Sequence, residues 1–337
     1  MRTIMPDQGP PGTRSVGPQR RSRLDQRAPL VTIGLATYNG ARYLAKSLDS
    51  LLDQDYPNWE LVISDNCSTD ETEAIARAYA GRSDRIRYVR QEANLGATAN
   101  FNYVLGQARG AYFMWAADHD LWKPTLISRC VAALEADPAA VLAYPRSLLI
   151  DENGAVIEEM DDQIDLGEPS ALTRYKRLIW RLVICNMIYG VARREALVAT
   201  GGFPDTVSPD HLVLARLALQ GPILRVGGHL FLRRRNRPQE TPEEHRRRSL
   251  TGLNPSKAGE RVAMPAPRLF RVLRDLHIRA VKESPLSFAE KLNGTLATLA
   301  CFHMRFHVAS NLVRLLRVGA RATRQSARLD RYFGRGT

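Results

Sequence analysis

Cysteine is scarce in this chain of 337 residues, and Cys67, Cys130, Cys185 and Cys301 stand far apart with no Cys-X-X-Cys pair among them. That spacing supports neither a disulfide framework nor a cysteine zinc site, and free thiols fit a reducing cytosol. Long apolar runs are missing too, since no stretch reaches the roughly 18 uncharged residues that a spanning helix needs. The first 28 residues hold Arg, Pro, Gly and Gln without the apolar centre of a secretory signal. The chain is therefore expected neither to be secreted by that route nor to cross a membrane. No Gly-X-Gly-X-X-Gly follows the first apolar run, which argues against a dinucleotide site. Acidic residues are absent between Glu290 and Asp330, where Arg314, Arg317, Arg321, Arg324 and Arg328 recur at helical spacing.

What is present is an ordinary globular composition, 44% hydrophobic, with a formal net charge of +13. One catalytic unit with appended segments is the default for such a length. The charge calls for an anionic partner without choosing one. No basic-and-aromatic stacking motif appears, and the positive charge concentrates outside the region with recognisable motifs, so no nucleic acid is expected. The arginine stripe suits an amphipathic helix lying on an anionic membrane, or equally a solvated helix face that packs its leucines inward.

Residues 1–28 read as a disordered basic arm, with too little apolar surface to offset ordering. From Pro29 the texture changes. Leu30 to Ala36 is a β-rich run ending at Thr37-Tyr38-Asn39-Gly40, and Leu44, Leu48, Leu51 and Leu52 follow at helical spacing. Trp59 to Ser64 is a second strand ending at Asp65-Asn66, after which Ser68 to Glu71 resembles a capping box. Ile86 to Val89, then Asn94-Leu95-Gly96 and a helix over about 97–108, lead to the strand AYFMWAADHD. Strands alternating with helices imply a Rossmann-like α/β sheet flanked by helices, with ligands at the carboxyl ends of its strands. Asn39, Asp65, Asn94 and Asp118 to Asp120 all follow such ends.

The most informative stretch is residues 111–124, where an apolar strand delivers Asp118 and Asp120 around His119. On an extended backbone, carboxylates at i and i+2 point to one side and make an oxygen-only site for Mg²⁺ or Mn²⁺. The competing reading is a helix cap ahead of Leu121-Trp122-Lys123-Pro124. Downstream, Pro209-Asp210-His211 opens a helix over Leu212 to Leu219, so Asp210 is a base candidate or an N-cap. Arg233, Arg234 and Arg235 follow an apolar strand and suit a diphosphate or, more commonly, a solvated edge.

The ordered set VTIGLATYNG, YPNWELVISDNCSTDET, NLG, NFNYVLGQARGAYF, DHDLWKP, GVARREAL with GGFP, and PDHLVLARLALQG resembles the family 2 glycosyltransferases of the GT-A fold. The resemblance covers residues 31 to about 235. It implies an inverting, metal-dependent transferase that takes a nucleotide-diphosphate sugar, with UDP favoured, and a saccharide, lipid-linked or small-molecule acceptor. Carried over, it gives Thr37, Tyr38, Asn39, Asp65, Asn102 and Asp118 to the donor nucleotide, with Asn100 a neighbour of Asn102. It gives Asp118 and Asp120 to the metal, Asp120 foremost, and Asp210 to the general base. Two departures stand out. Ala117-Asp118-His119-Asp120 lacks an extra carboxylate that family members often carry, and Pro209 replaces the usual glutamate before Asp210. They motivate an alternative, a non-catalytic GT-A-fold scaffold that binds nucleotide sugars. The expected organisation is a GT-A domain at 29–235 (nucleotide part 29–123, acceptor part 124–235), a loop or linker at 236–266, and a basic helical extension at 267–337. A role in polysaccharide biosynthesis is implied, in the cytoplasm or at the inner membrane face.

Overall fold

The computed structural model describes residues 28–160, 164–235 and 239–305. Its first half alternates β1 (Val31–Thr37), α1 (Ala41–Leu52), β2 (Trp59–Asp65), α2 (Thr72–Ala80), β3 (Ile86–Arg90), α3 (Ala97–Gly106) and β4 (Tyr112–Ala117). Then come β5 (Leu121–Trp122), α4 (Leu126–Ala136), β6 (Leu142–Ile150), β7 (Val156–Glu159), α5 (Ala171–Arg181) and a 3₁₀ turn, Asn186–Tyr189. β8 (Val191–Arg193), α6 (Arg194–Ala199), α7 (Pro209–Gln220) and β9 (Ile223–Arg234) complete the sheet region. α8 (Pro242–Leu253), α9 (Ala258–Ala263), α10 (Ala266–Glu283) and α11 (Phe288–His303) follow.

Among the described residues the strands form one mixed sheet in the order β3-β2-β1-β4-β8-β6-β9-β5, with β7 paired to β6. β1, β2 and β4 are buried along their whole length, as parallel strands covered on both faces must be, which is why they read as unbroken apolar runs. Alternation then sorts their side chains. Leu61, Ile63 and Met114 join the cluster under α1, α2 and α4, whereas Val62, Phe113 and Trp115 join the one under α5, α7, α10 and α11. Each such fully buried side chain contributes about 1.5–3 kcal/mol.

The parallel register pairs Thr37 with Asp65 and Ala36 with Ala117, so β1, β2 and β4 end at the same level. The chain leaves β1 toward β2 on one side and reaches β4 on the other, which opens a crevice at that edge.

The described residues 239–266, expected as part of a loop or linker, are largely helical. α8 carries a capping box, in which Thr241 Oγ1 accepts from the Glu244 amide and the Glu244 carboxylate accepts from the Thr241 amide, with Pro242 in the first turn. The Arg, Pro and Glu content that suggested a linker is thus a helix start, and its far end docks on the sheet region. Gly96, at φ +85, opens α3, and a Cβ there would lie 2.5 Å from the Leu253 carbonyl oxygen. Likewise Ser68 does not cap α2: its Oγ accepts from the Asn39 amide at 2.9 Å, and Asp70 Oδ1 accepts from the Thr72 amide at 3.1 Å instead. The basic arm and the Arg314 to Arg328 stripe lie outside the described residues, apart from Ala28 at the arm's end.

Candidate functional site

A cavity of about 840 Å³ opens at the carboxyl edge of β1, β2 and β4. Thr37, Tyr38, Asn39, Asn66, Asn94, Asn100, Asp118 and His119 line it, and so do Arg248, Ser249, Thr251, Gly252 and Leu253 of α8. Tyr38 is half exposed into it. Asn39 takes a left-handed φ of 51, which turns its amide onto Ser68 and its Oδ1 toward the Thr69 amide at 2.8 Å. Asparagine tolerates that conformation better than most residues. The loop after β1 is thereby tied to the loop after β2.

Asp65 is wholly buried and saturated. Its Oδ1 accepts from the Ser68 amide at 2.8 Å, and its Oδ2 accepts from Tyr88 at 2.9 Å and from Arg90 at 3.1 Å. It does not line the cavity, so it supports the wall from behind. Asn102 is also placed differently from expectation. Its amide nitrogen donates to the Phe203 carbonyl and its oxygen accepts from the Phe203 amide, both at 2.8 Å, which clamps α3 to the Gly201-Gly202-Phe203 loop away from the cavity. Its neighbour Asn100 faces the cavity, held by the Ser64 hydroxyl at 2.5 Å and donating to the Ser64 carbonyl at 3.0 Å.

The Asp-His-Asp triplet divides. Residues 118 and 119 form a turn rather than continuing β4, so the i and i+2 carboxylates do not share a side. Asp118 reaches the cavity, where its Oδ2 accepts from Thr37 Oγ1 at 2.6 Å and its Oδ1 lies 2.8 Å from His119 Nδ1. Gly40 permits this approach, because a Cβ there would lie 2.3 Å from Asp118 Oδ2. Asp120 turns inward and is 2% exposed. Its Oδ1 accepts from the Arg234 amide at 2.8 Å, while the Arg234 Nε donates to the His119 carbonyl at 2.8 Å. Burial raises the Asp120 carboxyl, partly offset by the charge of His119. Burial alone would lower His119, yet the charge of Asp120 and the bond to Asp118 leave it above its ordinary value.

Of the two carboxylates, Asp118 is the one that faces the cavity and could hold a divalent cation there. Among the described residues no group of three or more His, Cys, Asp or Glu could hold one unaided. A single protein carboxylate suits Mg²⁺ or Mn²⁺ when a substrate's phosphates fill the remaining positions, and to that extent the residues fit.

Asp210 sits in the first turn of α7 and accepts from the His211 amide at 2.9 Å. Burial raises its carboxyl, while that amide and the Cys185 thiol bring it back part of the way. Tyr189, which sequence reasoning did not assign, and Arg233 of the arginine run are linked to it electrostatically. Tyr189 lines the cavity and stacks on Phe231 at 5.2 Å. Burial raises its phenol, and the charges of Asp120 and Asp210 add to that rise. Arg233 donates to Asn186 Oδ1 at 3.0 Å, and its charge acts on Asp120, His119 and Asp210. Strand alternation sends Arg234 under the Asp120 loop, where its guanidinium stacks 4.7 Å over the Tyr43 ring. The signal in sequence was the Arg run itself, whose period-two alternation separates these neighbours.

Behind Asp210, His211 Nδ1 lies 3.1 Å from His277 Nε2, and Tyr175 bonds Thr298 at 2.7 Å beside them, linking α7, α10, α5 and α11. Burial lowers His211 to about 4, helped by the charge of Arg305, and burial lowers His277 well below its ordinary value, helped by His211 and Arg216. Both rings are thus neutral when folded. Since an unfolded histidine titrates near 6.5, the unfolded state binds more protons below that pH, and stability falls as pH drops from about 6.5 toward 4. The expected loss across that window is on the order of 3 kcal/mol for His211. Melting temperatures between pH 7.5 and 4.5 should show it, with a shallower slope in His277→Gln; equal slopes would remove the pair as its source.

The glycosyl transferase family 2 model matches residues 32–187. A Bacillus subtilis protein described as the glycosyltransferase EpsE is 37% identical over 127 residues, covering 37% of this chain and 46% of that protein. Another from Bacillus subtilis, described as the teichuronic acid biosynthesis glycosyltransferase TuaG, is 39% identical over 95 residues, 28% of this chain and 38% of its own. The matches thus span less than half the length of these curated relatives. The crystal structure of S. aureus TarS 1-349 in complex with UDP-GlcNAc superposes with a TM-score of 0.61 at 20% identity, over 82% of this chain and 73% of that one. At that identity the likeness concerns the GT-A fold. The likeness to glycosyl transferase family 2 thus lies in residues 32–187, somewhat less than half of the chain.

Proposed function

We propose that this protein transfers a sugar from a nucleotide-diphosphate donor to a hydroxyl acceptor with inversion. The observation that carries the reading is one cavity at the carboxyl edge of the parallel strands, with Asp118 and Tyr189 in its wall. In this reading Tyr38, Asn39, Asn66, Asn94 and Asn100 receive the nucleoside. A bound Mg²⁺ or Mn²⁺ at Asp118 would neutralise the leaving diphosphate. Arg233, partly buried, adds fixed positive charge on the acceptor side, where it acts on developing charge. Asp210 removes the acceptor's proton as its oxygen attacks, and its raised carboxyl suits that task. UDP is favoured as the donor base, supported by the TarS complex. The acceptor is a saccharide, a lipid-linked sugar or a small molecule, and polysaccharide biosynthesis is supported by the TuaG likeness.

Residues 29–235 would be the transferase unit, with 29–123 for the nucleotide and 124–235 for the acceptor. A cytoplasmic position, with the basic segment beyond residue 305 on the inner membrane face, accords with the charge pattern. No helix among the described residues is long and apolar enough to cross a membrane.

The test is a panel of sugar nucleotides assayed for release of the nucleoside diphosphate with Mg²⁺, Mn²⁺ or chelator. Metal-dependent UDP release is expected. Preferential GDP or dTDP release would reverse the base assignment, and binding without turnover across donors and acceptors would favour the scaffold alternative. Asp118 gives that second reading its footing, because both its oxygens already have partners in Thr37 and His119.

A further inference from the structure

α11 buries one face and leaves the other without a partner among the described residues. Gly294, Thr298, Cys301 and Phe302 point inward. Phe288 is 84% exposed, and Leu292, Leu296 and Leu299 are each at least 40% exposed. Their spacing of three and four puts them in one stripe along a 16-residue helix, roughly 24 Å long. No charged residue interrupts α11 between Lys291 and Arg305.

The neighbouring end of α5 continues this surface. Cys301 and Arg305 bond the Ile179 carbonyl, and Arg305 also bonds that of Leu182, so the two helix ends lie side by side. Trp180 and Val183, 42% and 56% exposed, occupy that junction. An exposed contiguous apolar patch of this kind marks an interaction site.

The charge around it selects the partner. Lys176, which bonds Asn293, Arg181 and Arg305 flank the stripe. From there the sequence has no acidic residue until Asp330 while adding Arg314, Arg317, Arg321, Arg324 and Arg328. Two copies meeting through this face would bring like charges together, which disfavours pairing. An apolar stripe with a basic border and a tryptophan at its edge matches the interface of an anionic bilayer.

We propose that the α11 stripe, with Trp180 and Val183, docks this protein flat on an anionic lipid surface. The surface lies on the side of α10 away from Asp210. His277 contacts His211 at 3.1 Å on one side and its ring lies 5.4 Å from that of Phe302 of α11 on the other. Docking therefore puts the membrane against the α5 and α11 side of the molecule. The proposal does not depend on the transfer reaction.

The full chain is floated with vesicles of phosphatidylcholine alone or with about one third phosphatidylglycerol. Binding is expected to the anionic vesicles, weakening as salt rises. Leu292→Glu with Leu296→Glu should reduce it at least tenfold with an unchanged melting temperature. Trp180 offers an independent signal, because Trp59, Trp115 and Trp122 are buried. Its emission should shift to the blue on vesicle addition, and the shift should vanish in Trp180→Phe while flotation persists. Absence of flotation, or flotation undiminished in the double variant, overturns the proposal. So does a dimer in the absence of lipid that the double variant converts to monomer, which would identify a second copy as the occupant.

Discussion

Asp210→Asn should lower turnover on a sugar donor by two to four orders of magnitude, the usual worth of a positioned general base. That is about 3–5 kcal/mol of activation free energy. Asparagine keeps the shape and the oxygen that accepts from the His211 amide at 2.9 Å. It cannot take a proton. Donor affinity should change less than about twofold, because Asp210 is not among the residues lining the nucleotide cavity. A fall in kcat with unchanged donor KM is the signature of an interaction made in the transition state alone. The pH profile sharpens the test. Burial raises Asp210, so the wild-type rate should decline as pH falls through that raised value, while the residual rate of the variant should lack this limb. A variant that retains wild-type turnover would leave Asp210 as a helix-terminal residue of α7 and nothing more.

Much of this arrangement is legible in the sequence, and the reason is local. β1, β2 and β4 are covered on both faces, so burial writes itself as unbroken apolar runs, and the polar residue after each run must stand at the sheet edge. Thr37 and Asp118 are found there, 2.6 Å apart across 81 residues of chain. The errors come from contacts that no local pattern encodes. Asp120 is drawn inward by the backbone of Arg234, 114 residues away, which the Asp-X-Asp spacing cannot reveal. Asn100 and Asn102 sit two apart on α3, and choosing between them requires knowing that the Phe203 loop lies over Asn102. α8 was concealed by its composition, although Thr241 and Glu244 stand at capping-box spacing. Arg233 resembled a solvated edge because its partner Asn186, and the Asp120 and Asp210 carboxylates on which its charge acts, come from three separate segments.

The division of the acidic triplet leads to the second large effect. Asp118→Ala should weaken Mn²⁺-dependent nucleoside diphosphate binding tenfold or more and abolish measurable transfer, with little change in stability. Asp118 is only partly buried and both it and Thr37 line the cavity, so water can replace the lost bond. Asp120→Ala should do the reverse. It leaves the Arg234 amide, buried in β9, without its acceptor, and loss of such a partner costs about 1–3 kcal/mol. It also empties space beside the Arg234 side chain, whose Nη1 donates to the Asp151 and Glu152 carbonyls at 2.8 and 2.9 Å. Asp120→Ala should therefore lower the melting temperature first and activity only as far as the loop shifts. Two measurements separate the roles: thermal unfolding, and titration of UDP with and without Mn²⁺. If Asp120→Ala keeps its melting temperature and loses the metal-dependent part of binding while Asp118→Ala retains it, the inner carboxylate is the one that turns toward the phosphates. The Arg234 bond would then have to open when donor binds.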